Sequence, residues 1–264
     1  MSIDVASSNN NVHEVLMKVP QITALFWVTK IFATTFGETA GDALSMSLNL
    51  GYLLSTFIFA TIFMGVVYFQ IKSKTYHPFL YWFAIIASTT VGTTLADFVD
   101  RSLGIGYVGG STILLSLVCI SLFIWYRTEG SISPHAVNHP RAELFYWLTI
   151  TFSQTLGTAL GDWSADTAGL GYTGGMVLFT GLIVLIFVLY KFTHISRTLL
   201  FWSAFVLTRP LGAVVGDFLD KPISSGGLDF SRFTASAILL VAIIACVYWA
   251  QYKQPNQIKS ARHN

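Results

Sequence analysis

Four tryptophans set a register that the chain runs through four times. Trp27, Trp82, Trp147 and Trp202 each close an FW or YW pair, and glycine follows each by ten residues (Gly37, Gly92, Gly157, Gly212). Aspartate follows by fifteen (Asp42, Asp97, Asp162, Asp217), and glycine again by twenty-four (Gly51, Gly106, Gly171, Gly226). Residue types held in register through four copies without a gap define a repeat protein, whose units share one structure and stack on one another. The copies begin 55, 65 and 55 residues apart, and the extra length falls in the polar linker TEGSISPHAVNHPRAE, so the chain divides as two plus two.

Each copy holds two apolar stretches. They lie near 21–46, 51–71, 79–99, 106–126, 144–165, 171–191, 199–219 and 231–252, and each is long enough to cross a hydrocarbon core, which takes about 20 helical residues. A transmembrane barrel would need alternating segments of about ten residues, a pattern the sequence lacks. The composition agrees with lipid as solvent: 53% hydrophobic, 11% charged, mean hydropathy +0.62, against about a quarter charged in soluble domains. The expected fold is therefore all-α: eight transmembrane helices in four tandem parallel two-helix repeats, pseudo-symmetric about the membrane normal. One transmembrane domain is expected over 18–253, with repeats at about 18–77, 78–130, 141–194 and 195–253. Polar tails, 1–17 and 254–264, flank it; the first has no apolar core of the kind a cleaved signal peptide carries.

Basic residues give an orientation. Ten lie in the tails or in linkers after even-numbered helices (Lys18, Lys72, Lys74, Arg127, Arg141, Lys191, Arg197, Lys253, Lys259, Arg262) and three in the opposite loops (Arg101, Lys221, Arg232). That excess predicts both termini in the cytoplasm, with the four tryptophans in an aromatic belt at the inner interface. A net charge of +2 gives no footprint for nucleic acid. Cys119 and Cys246, inside apolar stretches, read as buried hydrophobes rather than a disulfide or zinc framework. The segments FWVTKIFATTFGETAGD, YWFAIIASTTVGTTLAD, YWLTITFSQTLGTALGD and FWSAFVLTRPLGAVVGD resemble a family of bacterial membrane proteins of unknown function, with four tandem two-helix repeats that each bear a characteristic tryptophan. The resemblance covers about residues 18–253. It implies the fold and a location in the bacterial inner membrane, and it supplies no activity.

Helical stepping from each tryptophan puts offsets 3, 7, 11, 14 and 18 on one face. The four stripes read Lys30, Thr34, Glu38, Gly41, Ser45; Ile85, Thr89, Thr93, Ala96, Asp100; Ile150, Gln154, Thr158, Gly161, Ala165; and Phe205, Arg209, Ala213, Gly216, Asp220. Polar and small residues share this face, with the repeated aspartate at its edge, so it belongs toward other helices or water. Five acids (Glu38, Asp42, Asp97, Asp162, Asp217) and two bases (Lys30, Arg209) lie within the expected spans. Facing lipid at roughly 3 kcal/mol each they would cost on the order of 20 kcal/mol, above a typical net stability of about 5–15 kcal/mol. They must be paired, hydrated, protonated or bound to a cation.

The aspartates lie about 22 Å beyond the tryptophans, in the outer part of the membrane, with Glu38 deeper and Thr34 or Arg209 near the middle. They read either as hydrogen-bonding partners of the glycine-rich turns or as a cation-attracting site. Glu38 and Arg209 break the repeat, and either an ordering ion pair (Glu38–Arg209 or Lys30–Glu38) or a relay role accounts for them. Pro210 is expected to kink the seventh helix and free a carbonyl. The stretches 103–111 and 168–176 read as tight turns and close packing.

An oxygen-rich, acidic site without histidine or cysteine suits a hard cation such as H⁺, Na⁺, Mg²⁺ or Mn²⁺. The leading expectation is a transporter or channel for such a cation, proton-coupled or divalent. Glu38, Asp42, Asp97, Asp162 and Asp217 would carry it, Lys30 and Arg209 would pair or gate, and Thr34, Thr93, Gln154 and Thr158 would support. No cofactor is expected; the partners are the lipid bilayer and the cation, and homo-oligomerisation stays open. The alternatives are a membrane-embedded enzyme using paired aspartates and a sensory or binding membrane protein, Lys30 being a conceivable Schiff-base lysine.

Overall fold

The computed structural model describes the backbone of residues 18–261 and the side chains of 18–253, leaving the tail at 1–17 outside the described residues. Eight long helices and no strand are found among those residues. They are α1 (Ala24–Asp42), α2 (Gly51–Lys72), α3 (Pro78–Asp97), α4 (Gly106–Glu129), α5 (Pro140–Asp162), α6 (Gly171–Phe192), α7 (Arg197–Asp220) and α8 (Arg232–Ala261). The last helix continues past residue 253, where a polar tail is expected to begin.

Local chemistry starts and stops these helices. The Thr23 hydroxyl accepts from the N–H of Phe26, and His139 Nδ1 accepts from that of Ala142, each satisfying a donor of a first turn. Pro78 and Pro140 take first-turn positions that need no donor. After the repeated aspartate, α1, α3 and α5 each loosen into one π-helical turn, at Ala43–Ser47, Phe98–Ser102 and Trp163–Thr167. The chain then reverses through left-handed residues at Gly51, Gly106 and Gly171, with φ of 74°, 74° and 62°. A side chain is strained there, which explains the glycine at offset 24. In the fourth copy Gly226, at φ 86°, instead ends a short 3₁₀ turn, Ile223–Ser225.

Six helices are long and apolar enough to cross a membrane: α2, α3 with its π turn, α4, α6, α7, and α8 over Arg232–Lys253. Polar residues take α1 and α5 out of that group. α1 carries Thr29, Lys30, Thr34, Thr35, Glu38 and Thr39, and α5 a comparable set, all of them buried. These helices meet the bundle rather than hydrocarbon, so nothing requires them to be apolar.

Packing explains the difference. The odd-numbered helices touch in the order α1, α3, α5, α7 and back to α1, a closed inner ring. Each even-numbered helix lies outside, against the inner helix of the next copy: α2 on α3, α4 on α5, α6 on α7, and α8 on α1. The apolar windows of α3 and α7 are 78% and 72% buried, against 17%, 28%, 11% and 22% for α2, α4, α6 and α8. The outer helices show Phe57, Met64, Phe123, Val177, Phe187 and Val241 to the surroundings. Such an apolar exterior is stable only in lipid or under a partner.

Glycine at offset 10 sets how closely the inner ring closes. A Cβ on Gly37 would fall 2.4 Å from Thr89 Cβ, one on Gly92 2.9 Å from Gln154 Cβ, one on Gly157 2.4 Å from Arg209 Cβ, and one on Gly212 2.5 Å from Thr34 Cβ. Each glycine thus receives the offset-7 residue of the next inner helix, and the fourth receives that of the first. One turn on, Gly41 meets Thr93, Gly161 meets Ala213 and Gly216 meets Glu38. This is small-residue packing of the kind that holds helices together where lipid removes the hydrophobic drive.

The tryptophans depart from expectation. Trp82, Trp147 and Trp202 are buried and Trp27 half-buried, so they form an interior aromatic plug rather than a lipid-facing belt. Trp82 stacks edge-on with Tyr81, Trp147 with Tyr146, and Trp202 with Phe201 and Trp125, while the Tyr81 and Tyr146 hydroxyls bond between the adjacent helices α3 and α5 at 2.6 Å. Their place at the foot of the inner helices removes them from lipid. Cys119 is exposed and Cys246 half-buried, against the expectation of two buried thiols; both sit on outer helices, whose backs face out.

Candidate functional site

Every residue of the four stripes is buried, because the ring turns these faces toward its own axis. From the aromatic end the axis carries, in order, Lys30, the offset-7 residues, the offset-11 residues and the aspartates.

Lys30 is fully buried; its Nζ donates to Phe205 O (3.0 Å) and to Thr208 Oγ1 (2.6 Å), and lies 3.8 Å from the centre of the Phe205 ring. The Thr34 hydroxyl donates to Thr208 O at 3.2 Å. α7 runs unbroken through Pro210, and carbonyls in the turn before the proline accept from α1.

Arg209 reaches into the centre of the ring. Its Nη2 donates to Glu38 Oε2 at 3.0 Å, to Thr93 Oγ1 at 2.6 Å and to Thr158 Oγ1. These acceptors are the offset-11 residues of the first, second and third copies, and only Arg209, from the fourth, reaches all three. Of the two ion pairs envisaged from sequence, Glu38–Arg209 forms, while Lys30 pairs with no carboxylate among the described residues.

The aspartates meet bases that sequence reading placed in loops. Arg101 binds Asp97 (3.0 Å) and Asp162 (3.1 Å), joining the second copy to the third. Lys221 binds Asp217 (3.1 Å) and Asp42, joining the fourth to the first. Arg101 and Lys221 hold the same repeat position, nineteen residues after Trp82 and Trp202, one turn beyond the repeated aspartate. Met46 and Asp166 stand there in the other two copies, so the charge pattern has two-fold rather than four-fold character. Arg232 adds a contact to Asp220 at 2.8 Å. Burial opposes the Lys221 charge, but Asp217, Asp42 and Asp220 outweigh it and hold its pKa well above the ordinary lysine value.

Two carboxylate triads result. One oxygen from each of Glu38, Asp162 and Asp217 lies within 4.8 Å of the others, and Asp42, Asp217 and Asp220 form a second such group. Asp97 is held with Asp162 by their shared arginine and joins neither triad. Asp100 and Asp220, equivalent in the second and fourth copies, complete the buried acids at this end of the ring; both Asp100 oxygens lack hydrogen-bond partners among the described residues, and one would lie 2.0 Å from a Cβ on Gly110. Asp220, Lys221, Arg101 and Arg232 were not among the expected site residues. The available signal was a base four residues after the aspartate in alternate copies.

Lys221 is 13% exposed in its side chain and Arg101 32%. Lys221→Met is therefore expected to cost about 2 kcal/mol, between a surface pair and a fully buried one, and Arg101→Met clearly less. Denaturant unfolding of the two variants side by side checks the order.

An all-helical bundle with six helices long and apolar enough to cross a membrane, an apolar exterior and a row of buried charges along its axis has the character of a multi-pass membrane protein. Residues 25–76, 80–131, 145–196 and 200–254 each match one family, described as Repeat of Unknown Function (DUF347), and the chain belongs to that family. No curated protein and no solved structure gives a significant match.

Proposed function

We propose that this protein binds and transports a small hard cation, with Glu38, Asp162 and Asp217 as the central ligands. The observation behind the reading is the convergence of three buried carboxylates from α1, α5 and α7, with oxygens within 4.8 Å of one another. That spacing suits oxygen ligands around an ion at about 2.0–2.6 Å. Charge supports it too. Six carboxylates (Glu38, Asp42, Asp97, Asp162, Asp217, Asp220) share four bases (Arg101, Arg209, Lys221, Arg232), leaving two negative charges, the complement of one divalent or two monovalent cations.

The geometry supplies a mechanism. Each triad acid already serves one base: Glu38 with Arg209, Asp162 with Arg101, Asp217 with Lys221. An arriving cation or proton competes with those bases. Loss of the Glu38–Arg209 pair leaves the guanidinium to Thr93 and Thr158, so occupation of the triad biases the ring between two arrangements. Lys30 and Arg209 between the triad and the aromatic plug oppose passive leak of cations, which favours a coupled carrier over an open channel.

In this reading all eight helices span the bilayer, α1 and α5 being shielded by the others, and the copies are related by a pseudo-symmetry axis along the membrane normal. The chain sits in a bacterial inner membrane with both termini cytoplasmic, so the aspartate end faces outward and the aromatic plug inward. The supports are the alternating bases and the repeat pattern.

Proteoliposome flux tests the reading. Manganese, magnesium, sodium and proton uptake are measured with ion-sensitive dyes, and Glu38→Gln and Asp162→Asn should each slow the transported species by at least about tenfold. Flux equal to wild type in both variants, or none for any of the four ions in wild type, would reject it.

A further inference from the structure

Toward the aromatic end, the axis holds polar groups that the carboxylates do not serve. Arg209 Nη2 shares its two N–H groups among three acceptors, but its buried Nε and Nη1 find none among the described residues. Both ends of the Gln154 side-chain amide are buried and without partners. Gln154 and Arg209 stand at the same repeat position on α5 and α7, and the Arg209 stem lies against Gly157, one turn from Gln154. Lys30 joins them from α1 through Thr208, the neighbour of Arg209. Of the buried bases among the described residues, Lys18 pairs with Glu143 and Arg209 with Glu38, while Lys30 has no carboxylate within ion-pair distance.

A set of buried N–H donors without acceptors is costly, and a positive charge at Lys30 would find no counter-ion there; one ligand answers both. Water satisfies donors but brings no charge. Guanidinium, ammonium and amide together offer only donors and one amide oxygen, the chemistry that recognises an anion. The tight approach of the inner helices at Gly92 and Gly157 favours a monatomic ion over an organic acid.

We infer that Lys30, Gln154 and Arg209 form an anion site on the axis, between the carboxylates and the aromatic plug, that takes a halide of chloride size. It lies on the opposite side of Arg209 from the cation triad and stands whether or not that triad carries a cation. Its consequence for transport is direct: the anion offsets the positive charge that Arg209 sets on the axis and lowers the barrier to a cation crossing the middle of the ring.

The test uses purified full-length protein in detergent, with sodium chloride exchanged for sodium gluconate at constant ionic strength and the thermal midpoint as readout. Chloride should raise the midpoint saturably in wild type. Gln154→Leu should weaken the apparent chloride affinity by about tenfold, the equivalent of one hydrogen bond to an ion. Lys30→Met should abolish the response; if that variant does not fold, Gln154→Leu decides alone. Asp162→Asn should keep the chloride shift while changing any response to manganese, so failure of the cation reading is separable from failure of this one. Equal midpoints in chloride and gluconate, or an undiminished chloride shift in Gln154→Leu, would show that water or side-chain rearrangement satisfies these donors, and would overturn the inference.

Discussion

Arg209→Met is expected to destabilise the bundle by about 3–5 kcal/mol, because it strands the Glu38 carboxylate in the interior without its counter-ion. Glu38 is 2% exposed and Arg209 fully buried, so solvent does not screen either group. The variant also removes the side chain that joins Thr158 to Glu38 across the axis, leaving the Glu38 carboxylate the direct bond from the Thr93 hydroxyl at 3.3 Å. Glu38→Gln in the Arg209→Met background should restore much of the loss, since a neutral amide demands far less of its surroundings. The comparison isolates the charge: if methionine and glutamine together are no better than methionine alone, the cost is packing rather than an unpaired carboxylate. Denaturant unfolding in detergent of the wild type, Arg209→Met, Glu38→Gln and the double variant gives the coupling between the two sites directly.

Gly92→Val should be the other large loss, upwards of about 3 kcal/mol. Even the Cβ of a valine would lie 2.8 Å from the Gln154 carbonyl carbon and 3.0 Å from the Thr155 nitrogen. Those are backbone atoms of α5, which cannot rotate aside as a side chain can. The α3–α5 edge of the inner ring must open, and the ring is closed, so the displacement spreads to the other edges. Gly65→Ala makes the control, as nothing lies within 4 Å of a Cβ there; it should be neutral or slightly stabilising, because alanine suits a helix better. Comparable unfolding midpoints for Gly92→Val and Gly65→Ala would contradict the ring packing.

Helices one and five show how a reading of the repeat and a hydropathy reading taken helix by helix can part. Their sequences carry too many threonines and charges to qualify as spans alone, yet the repeat places them in register with α3 and α7. The ring explains the difference: α1 and α5 are lined by the other helices, so their polar residues are buried in the bundle. The aromatic belt failed for the opposite reason: a tryptophan near a helix end reads as interfacial, but an inner helix meets only other helices there.

Within the site, the offset-7 and offset-11 positions were legible from periodicity, since a polar stripe on an apolar helix has one sensible direction. The Glu38–Arg209 contact was open to anticipation as one of two pairs, both being departures from the repeat. Arg101 and Lys221 were harder. Both were counted as outer-loop charges, although each stands four residues beyond a repeated aspartate, the spacing at which helical side chains meet. A long basic side chain can fold back along its helix, and loop assignment hides that reach.

The sequence by itself determined the repeat, the helices, the polar face of each inner helix and the need for buried charges to be compensated. These are properties of one chain segment at a time: period, length, and the cost of a charge in hydrocarbon. Tertiary structure alone decided that each outer helix packs on the next copy's inner helix, that Arg101 and Lys221 tie neighbouring copies together, and that carboxylates from α1, α5 and α7 meet within one ion's reach. Identical repeats present identical faces to every neighbour, so no pattern within a segment specifies which copy it meets; the closing of the ring does.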